Sequence, residues 1–133
     1  MNVAYDEPAN VYQVETCDLC IVGAGIAGMN ALWVASQYLP AGAKVILVDK
    51  NPHVGGMWTE TYDYVRLHQP HKMFTAGNIP WTIHKEPAYL ASKPEVLDQF
   101  RYCLDQLRAK LSLAEFYAYT YEEHREVLTD AGY

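Results

Sequence analysis

Three glycines and an aspartate carry the first chemical signal. Gly23, Gly25 and Gly28 stand in the spacing G-x-G-x-x-G, and Asp49 follows 21 residues after the last of them. The glycines come after a short apolar run, residues 18–23 (DLCIVG), and open a segment in which Met29, Leu32, Trp33, Ala35 and Leu39 recur at helical spacing. Pro40 and Gly42 stop that helix, and residues 44–49 (KVILVD) form a second apolar run. Strand, glycine turn, helix and strand make one βαβ unit. In that setting Gly23 permits the tight turn, Gly25 lets a pyrophosphate approach the backbone, and Gly28 lets helix and strand pack closely. The amides near Ile26 and Ala27 begin the helix, where the dipole favours phosphate. A carboxylate at Asp49 accepts hydrogen bonds from an adenosine ribose and repels a 2′-phosphate, which leaves FAD or NAD rather than NADP at this site.

The residues after Asp49 favour FAD. An NAD-binding unit usually runs straight into its next helix. Here Gly55 and Gly56 form a turn that lets the backbone approach something, and Trp58 follows. Other residues have simpler readings. Arg66 can serve the site or pair with Asp63 or another carboxylate. His68 and His71 stand three apart, but Pro70 lies between them and no third ligand is near, so no metal site is expected. Cys17 and Cys20 form one C-x-x-C, but they fall in the first strand of the unit and are expected to act as small hydrophobes. Tyr62 and Trp81 are expected in the core. His53, His84 and His124 are expected on loops or the surface, and Tyr117, Tyr119 and Tyr121 on one strand face. No acid, base or nucleophile is assigned.

Around these residues the chain reads as one α/β unit. It has 133 residues, enough for one domain or a piece of a larger one. The net charge of −6 and the lack of a Lys/Arg cluster argue against nucleic-acid binding. No apolar run approaches the roughly 20 residues that span a bilayer, and residues 1–10 lack the pattern of a signal peptide. The expected location is the cytoplasm. Residues 1–16 are expected as an irregular arm and residues 17–133 as the folded unit. Residues 51–89 show no sustained period, and a long irregular stretch of this kind is usually functional. A helix should begin at Ser92, with Pro94 and Glu95 in its first turn and Val96, Leu97, Phe100, Cys103, Leu104 and Leu107 on its apolar stripe. Residues 115–129 alternate partly and are expected as a strand.

The tracts GGMW, TYDYVRLHQPHKMF and YLASKPEVLDQF together resemble the flavin-containing monooxygenases. The tract TYDYVRLHQP is most similar to the branch that includes the plant YUCCA-type enzymes and their bacterial relatives, and the similarity runs from about Cys20 to near the end of the chain. It implies a Rossmann-like FAD-binding domain of the two-dinucleotide flavoprotein type, with a small antiparallel β segment near the C-terminal end. It also implies site roles. Gly23, Gly25, Ile26, Ala27 and Gly28 would cradle the FAD pyrophosphate. Asp49, where the family more often has Glu, would hold the adenosine ribose, with Lys50 beside it. Met57 and Trp58, after Gly56, would line the FAD, and Arg66, Leu67, His68 and Gln69 would run towards the flavin ring. The implied activity is NADPH-dependent transfer of one oxygen atom from O₂ through a flavin C4a-(hydro)peroxide. The family's second glycine motif for NADPH, its Phe-x-Gly linking motif and its later FAD segment are absent from these 133 residues. The expectation is therefore the N-terminal FAD-binding portion, inactive alone and open to self-association. The alternatives are a catalytically incomplete nucleotide-binding or assembly module, or another FAD enzyme of the same superfold. A disulfide reductase would need a C-x-x-x-x-C after the first helix, which is not present.

Overall fold

The computed structural model describes residues 2–6 and 12–117. Strands β1 (Asn2–Asp6) and β2 (Tyr12–Thr16) pair antiparallel, from Asn2 opposite Thr16 to Asp6 opposite Tyr12. This corrects the expected irregular arm. Val3, Tyr5, Tyr12 and Val14 supply β-formers at alternate positions, enough for the segment to pair with itself.

The βαβ unit forms as its pattern dictates. Strand β3 (Leu19–Val22) leads through the glycine turn into helix α1 (Ile26–Tyr38), and β4 (Lys44–Val48) follows. Residues 49–92 contain only two single-turn 3₁₀ helices, Gly56–Thr59 and His71–Met73. Helix α2 (Lys93–Arg108) then returns the chain to β5 (Ser112–Phe116). The three strands are parallel in the order β3-β4-β5. Residues 115–116 are thus in a strand as expected, but that strand starts at Ser112 and runs parallel to β4, not antiparallel. The physical reason is the α2 crossover, which brings the chain back to the sheet edge in the direction it left. Residues 118–129 of the expected strand, with Tyr119, Tyr121 and His124, lie outside the described residues.

Alternation along β4 explains the apolar run. Val45 and Leu47 join Ile21, Met29, Leu32, Phe100, Leu104 and Leu107 in the core under the two helices. Ile46 and Val48 face the other way and cluster with Cys17, Cys20, Ala114 and Phe116. A strand buried on both faces reads as continuous apolar sequence. The cysteines do behave as packing groups. Burial, with a contribution from Cys17, pushes the Cys20 thiol up to about 11.

The irregular segment is tied down at both ends. Arg66 bridges Ser92, and the Leu67 amide donates to the Ala91 carbonyl at 2.9 Å. On the other side, the Asn30 side chain donates to the Thr75 carbonyl (3.0 Å) and accepts from the Gly77 amide (2.8 Å). The Trp33 indole donates to Asn78 Oδ1 at 3.0 Å. Two side chains of α1 therefore satisfy polar groups of a loop that has no ladder of its own.

Candidate dinucleotide site

The glycine turn closes against the Gly-Gly turn, backbone to backbone. The Gly55 amide donates to the Ala24 carbonyl at 2.9 Å, and the Gly23 amide to the Val48 carbonyl at 2.7 Å. A Cβ on Gly25 would lie 3.4 Å from Gly56 Cα, and one on Gly56 would lie 2.8 Å from Gly25 Cα. Gly55 and Gly56 have φ of +138° and +57°, values that side-chain-bearing residues rarely adopt. Gly28 has a different reason. Its Cβ would fall 2.0 Å from the Gly23 carbonyl oxygen, so this glycine serves helix–strand contact. The sequence expectation gave Gly25 to the ligand alone; the structure adds Gly56 as its neighbour.

Helix α1 starts at this junction with no side chain capping it, so the Gly25 position leaves the first helical amides without a side-chain partner. Ala27 is exposed and Ile26 half-buried in that first turn. An uncapped N-terminus beside the close Gly25–Gly56 backbone contact suits a pyrophosphate, and the residues present therefore fit the ADP portion of a dinucleotide.

Asp49 is brought to the same place. It follows β4, is only 5% exposed, and accepts from the Ala24 amide through Oδ2 (2.5 Å) and from the Asn51 amide through Oδ1 (2.7 Å). Each oxygen keeps a lone pair for a further donor such as a ribose hydroxyl. Lys50 beside it is exposed. Sequence reasoning missed Asn51, whose side chain reaches the Gly56 carbonyl at 3.3 Å and so joins the strand end to the Gly-Gly turn. Its signal was its place two residues after a carboxylate, where an Asx-type turn forms.

The second tier of expected residues divides. Met57 is 68% exposed, whereas Trp58 is packed in the core with its ring edge-on to Phe74. Leu67 is buried, and Arg66, His68 and Gln69 are exposed. Arg66 does not meet Asp63. Its guanidinium donates to the Leu90 carbonyl at 3.0 Å and sits over the Tyr89 ring, while Lys93 lies 3.6 Å from Asp63. Tyr89 was another unforeseen residue. Its hydroxyl donates to Glu95 at 2.7 Å, and Glu95 also accepts from the Ser92 amide and hydroxyl. Burial works against the Glu95 charge, but these donors outweigh it and hold the carboxyl below its ordinary range. Tyr62, expected in the core, is instead 72% exposed and stacked on Tyr64; Trp81 is buried as expected. Among the described residues, no group of three His, Cys, Asp or Glu could hold a metal ion.

At the far edge, Arg108 grips Glu115 with two bonds of 2.6 and 2.7 Å, and the Tyr117 hydroxyl donates to Glu115 at 2.7 Å. Burial opposes the Glu115 charge, yet Arg108 and Tyr117 hold its carboxyl below the ordinary range. Burial raises Tyr117, and the negative charges of Glu115 and Asp49 add to that. The end of β5 thus stands within electrical reach of the Asp49 carboxylate.

Residues 18–131 match the family described as FAD dependent oxidoreductase, and the chain belongs to that family. Over 76 residues it is 36% identical to the FAD-containing monooxygenase EthA of Mycolicibacterium smegmatis, covering 56% of this chain and 15% of that protein. Over 57 residues it is 40% identical to an uncharacterised protein of Mycobacterium tuberculosis, covering 43% of this chain and 10% of that one. These alignments thus span 10% to 15% of the curated relatives' length. The fold is shared with a flavin-containing monooxygenase from Stenotrophomonas maltophilia at a TM-score of 0.59 and 18% identity, over 71% of this chain and 27% of that one. OTEMO, solved in complex with FAD and NADP, matches at 0.54 and 27% identity, over 74% of this chain and 19% of that one. Flavin monooxygenases recur among both kinds of relative, in agreement with the resemblance carried by residues 55–58, 61–74 and 89–100. Among the described residues, no helix is long and apolar enough to cross a membrane.

Proposed function

We propose that this chain forms the FAD-binding portion of an NAD(P)H-dependent flavoprotein monooxygenase. The observation that carries the reading is the closure of Gly25 on Gly56 at the uncapped start of α1, with the buried Asp49 carboxylate alongside. The amides of Ile26 and Ala27 would hold the pyrophosphate, and Asp49 would accept from the adenosine ribose without releasing the Ala24 amide. Met57 and the run Arg66–Gln69 would border the cofactor further along. Trp58 would support that border from the core rather than offer an open face. FAD, when bound, supplies the exchange of two electrons with a nicotinamide and the activation of O₂. The complete reaction would place one oxygen atom of O₂ on the substrate and release the other as water, with two electrons from NADPH or NADH. The protein's part is to bind, orient and exclude water.

Only one G-x-G-x-x-G turn occurs in these 133 residues, so the nicotinamide would be held by residues outside them. The test is NADPH-dependent O₂ consumption. The purified chain should show none above free FAD, even when loaded with FAD. Turnover by the isolated chain would refute the division of labour. A second reading, an assembly module that does no chemistry, is favoured by one observation: Met57, Tyr62, Tyr64 and Met73 are all largely exposed. Failure to take up FAD, together with stable self-association, would support that reading instead.

A further inference from the structure

Helix α1 contains no charged residue, and neither does the wider run of residues 19–43. One side of the helix is buried, at Gly28, Met29, Leu32 and Ala35. The other side is apolar as well. Ala27, Ala31, Val34 and Tyr38 are all exposed, Val34 at 47% and Tyr38 at 81%. A helix that covers one side of a core normally turns charged and polar residues to water, and a helix apolar all round is normally buried all round. The polar side chains of α1 do not change this. Asn30 and Ser36 make their hydrogen bonds within the chain, and Gln37 is the one further exposed residue of the helix.

The spacing of the exposed side chains says what fits them. Steps of four, three and four residues separate Ala27, Ala31, Val34 and Tyr38, the seam of a two-helix contact. This seam is its own complement. An antiparallel pairing about a two-fold axis midway between Ala31 and Val34 sets Ala27 opposite Tyr38 of a second copy, and Ala31 opposite Val34. Each smaller side chain then meets a larger one, and the ring at one end fills the space left at the other. Antiparallel helices also bring opposite ends of their dipoles together. Charge selects the same partner. Copies of a chain with net charge −6 repel each other, and a contact without charge on either side adds no like pair to that repulsion. Residues 75–78, the loop that α1 holds through Asn30 and Trp33, are uncharged too.

We propose that the exposed face of α1 is a docking surface for α1 of a second copy of this chain, in that antiparallel register. The contact uses side chains along the flank of the helix, whereas a phosphate would meet amides at its start, so it stands whether or not the chain holds FAD. A helix of 13 residues is about 20 Å long, which keeps the contact below the roughly 800 Å² per partner of a standard interface. The dimer is therefore weak, with a dissociation constant on the order of 100 µM.

Sedimentation of the full 133-residue chain tests this, with circular dichroism to confirm that each variant is folded. Ala31→Glu and Val34→Lys each place an unpaired charge in the seam and should raise the dimer dissociation constant about tenfold or more. In the chain carrying both substitutions, each new carboxylate faces a new ammonium group across the two-fold axis, and dimerisation should return to within about threefold of native. Both positions are exposed and both new residues are good helix formers, so the fold and FAD uptake should not change. A second measurement needs no variant. In a mixture of isotope-labelled and unlabelled native chain, nuclear Overhauser effects between copies should join the Tyr38 ring to the Ala27 methyl. A native chain that stays monomeric up to about 1 mM, single variants that dimerise undiminished, a double variant no stronger than the single ones, or a dimer without the Tyr38–Ala27 contact would overturn the proposal, whatever the result for FAD.

Discussion

Two backbone amides point at the Asp49 carboxylate, from Ala24 and from Asn51. An amide in its place has only one accepting oxygen, so Asp49→Asn must leave one of them facing an N–H donor. The expected cost is about 1–3 kcal/mol of stability, measured by urea unfolding, together with weaker FAD uptake. At Gly28 the constraint is steric. Gly28→Ala puts a methyl 2.0 Å from the Gly23 oxygen, and a loss of about 1–3 kcal/mol or more is expected by the same measurement. The spacing of the glycines and of Asp49 was legible in the sequence because each answers to local backbone geometry. The turn of the Asp49 side chain onto Ala24 was not, because it depends on how β4 lies beside the glycine turn. Tyr62 shows the same limit. An aromatic in an aperiodic stretch carries no signal for which side it faces, and the expected burial failed there.

At the scale of elements, the start of α2 is the most testable. Ser92, Glu95 and Tyr89 form a connected cap over its first turn. Ser92→Ala should cost about 1 kcal/mol in urea unfolding, as for other helix N-caps. Glu95 and Glu115 both sit below the ordinary carboxylate range in the folded chain. Their contribution is therefore fully present above the unfolded value, near pH 4.3, and is lost as pH falls through the lower folded values. Thermal melting temperatures should drop below about pH 4, and Glu115→Gln should flatten part of that acid limb. Helices α1 and α2 and strands β3 and β4 were legible because their apolar periods and stop signals agree. The β1–β2 pair was not, since a short hairpin with a charged, proline-containing connection resembles a loose arm. The start of β5 was missed for a related reason. Ser112 and Leu113 follow α2 so closely that the helical pattern masks them.

At the scale of the whole molecule, the long segment between β4 and α2 joins the nucleotide turns to the rest of the core. Val54, Trp58, Leu67, Ala76, Ile79 and Trp81 enter the same cluster as the helices. Its lack of a period was read correctly as irregular chain, but its anchoring by Asn30 and Trp33 was invisible, because two polar contacts across 45 residues leave no local pattern. The exposed Met57, Tyr62, Tyr64 and Met73 are expected to favour self-association at high concentration. Sedimentation showing only monomer at such concentrations would count against that. The central claim, that the paired glycine turns hold FAD, is tested most directly by titrating the folded chain with FAD beside a Gly56→Val variant, with circular dichroism confirming that both are folded. The expected result is stoichiometric uptake of FAD by the native chain, tighter than NAD or AMP, and its loss in the variant, whose first side-chain carbon would lie 2.8 Å from Gly25 Cα. A folded native chain that takes up no FAD, or a folded variant that binds it undiminished, would contradict the account.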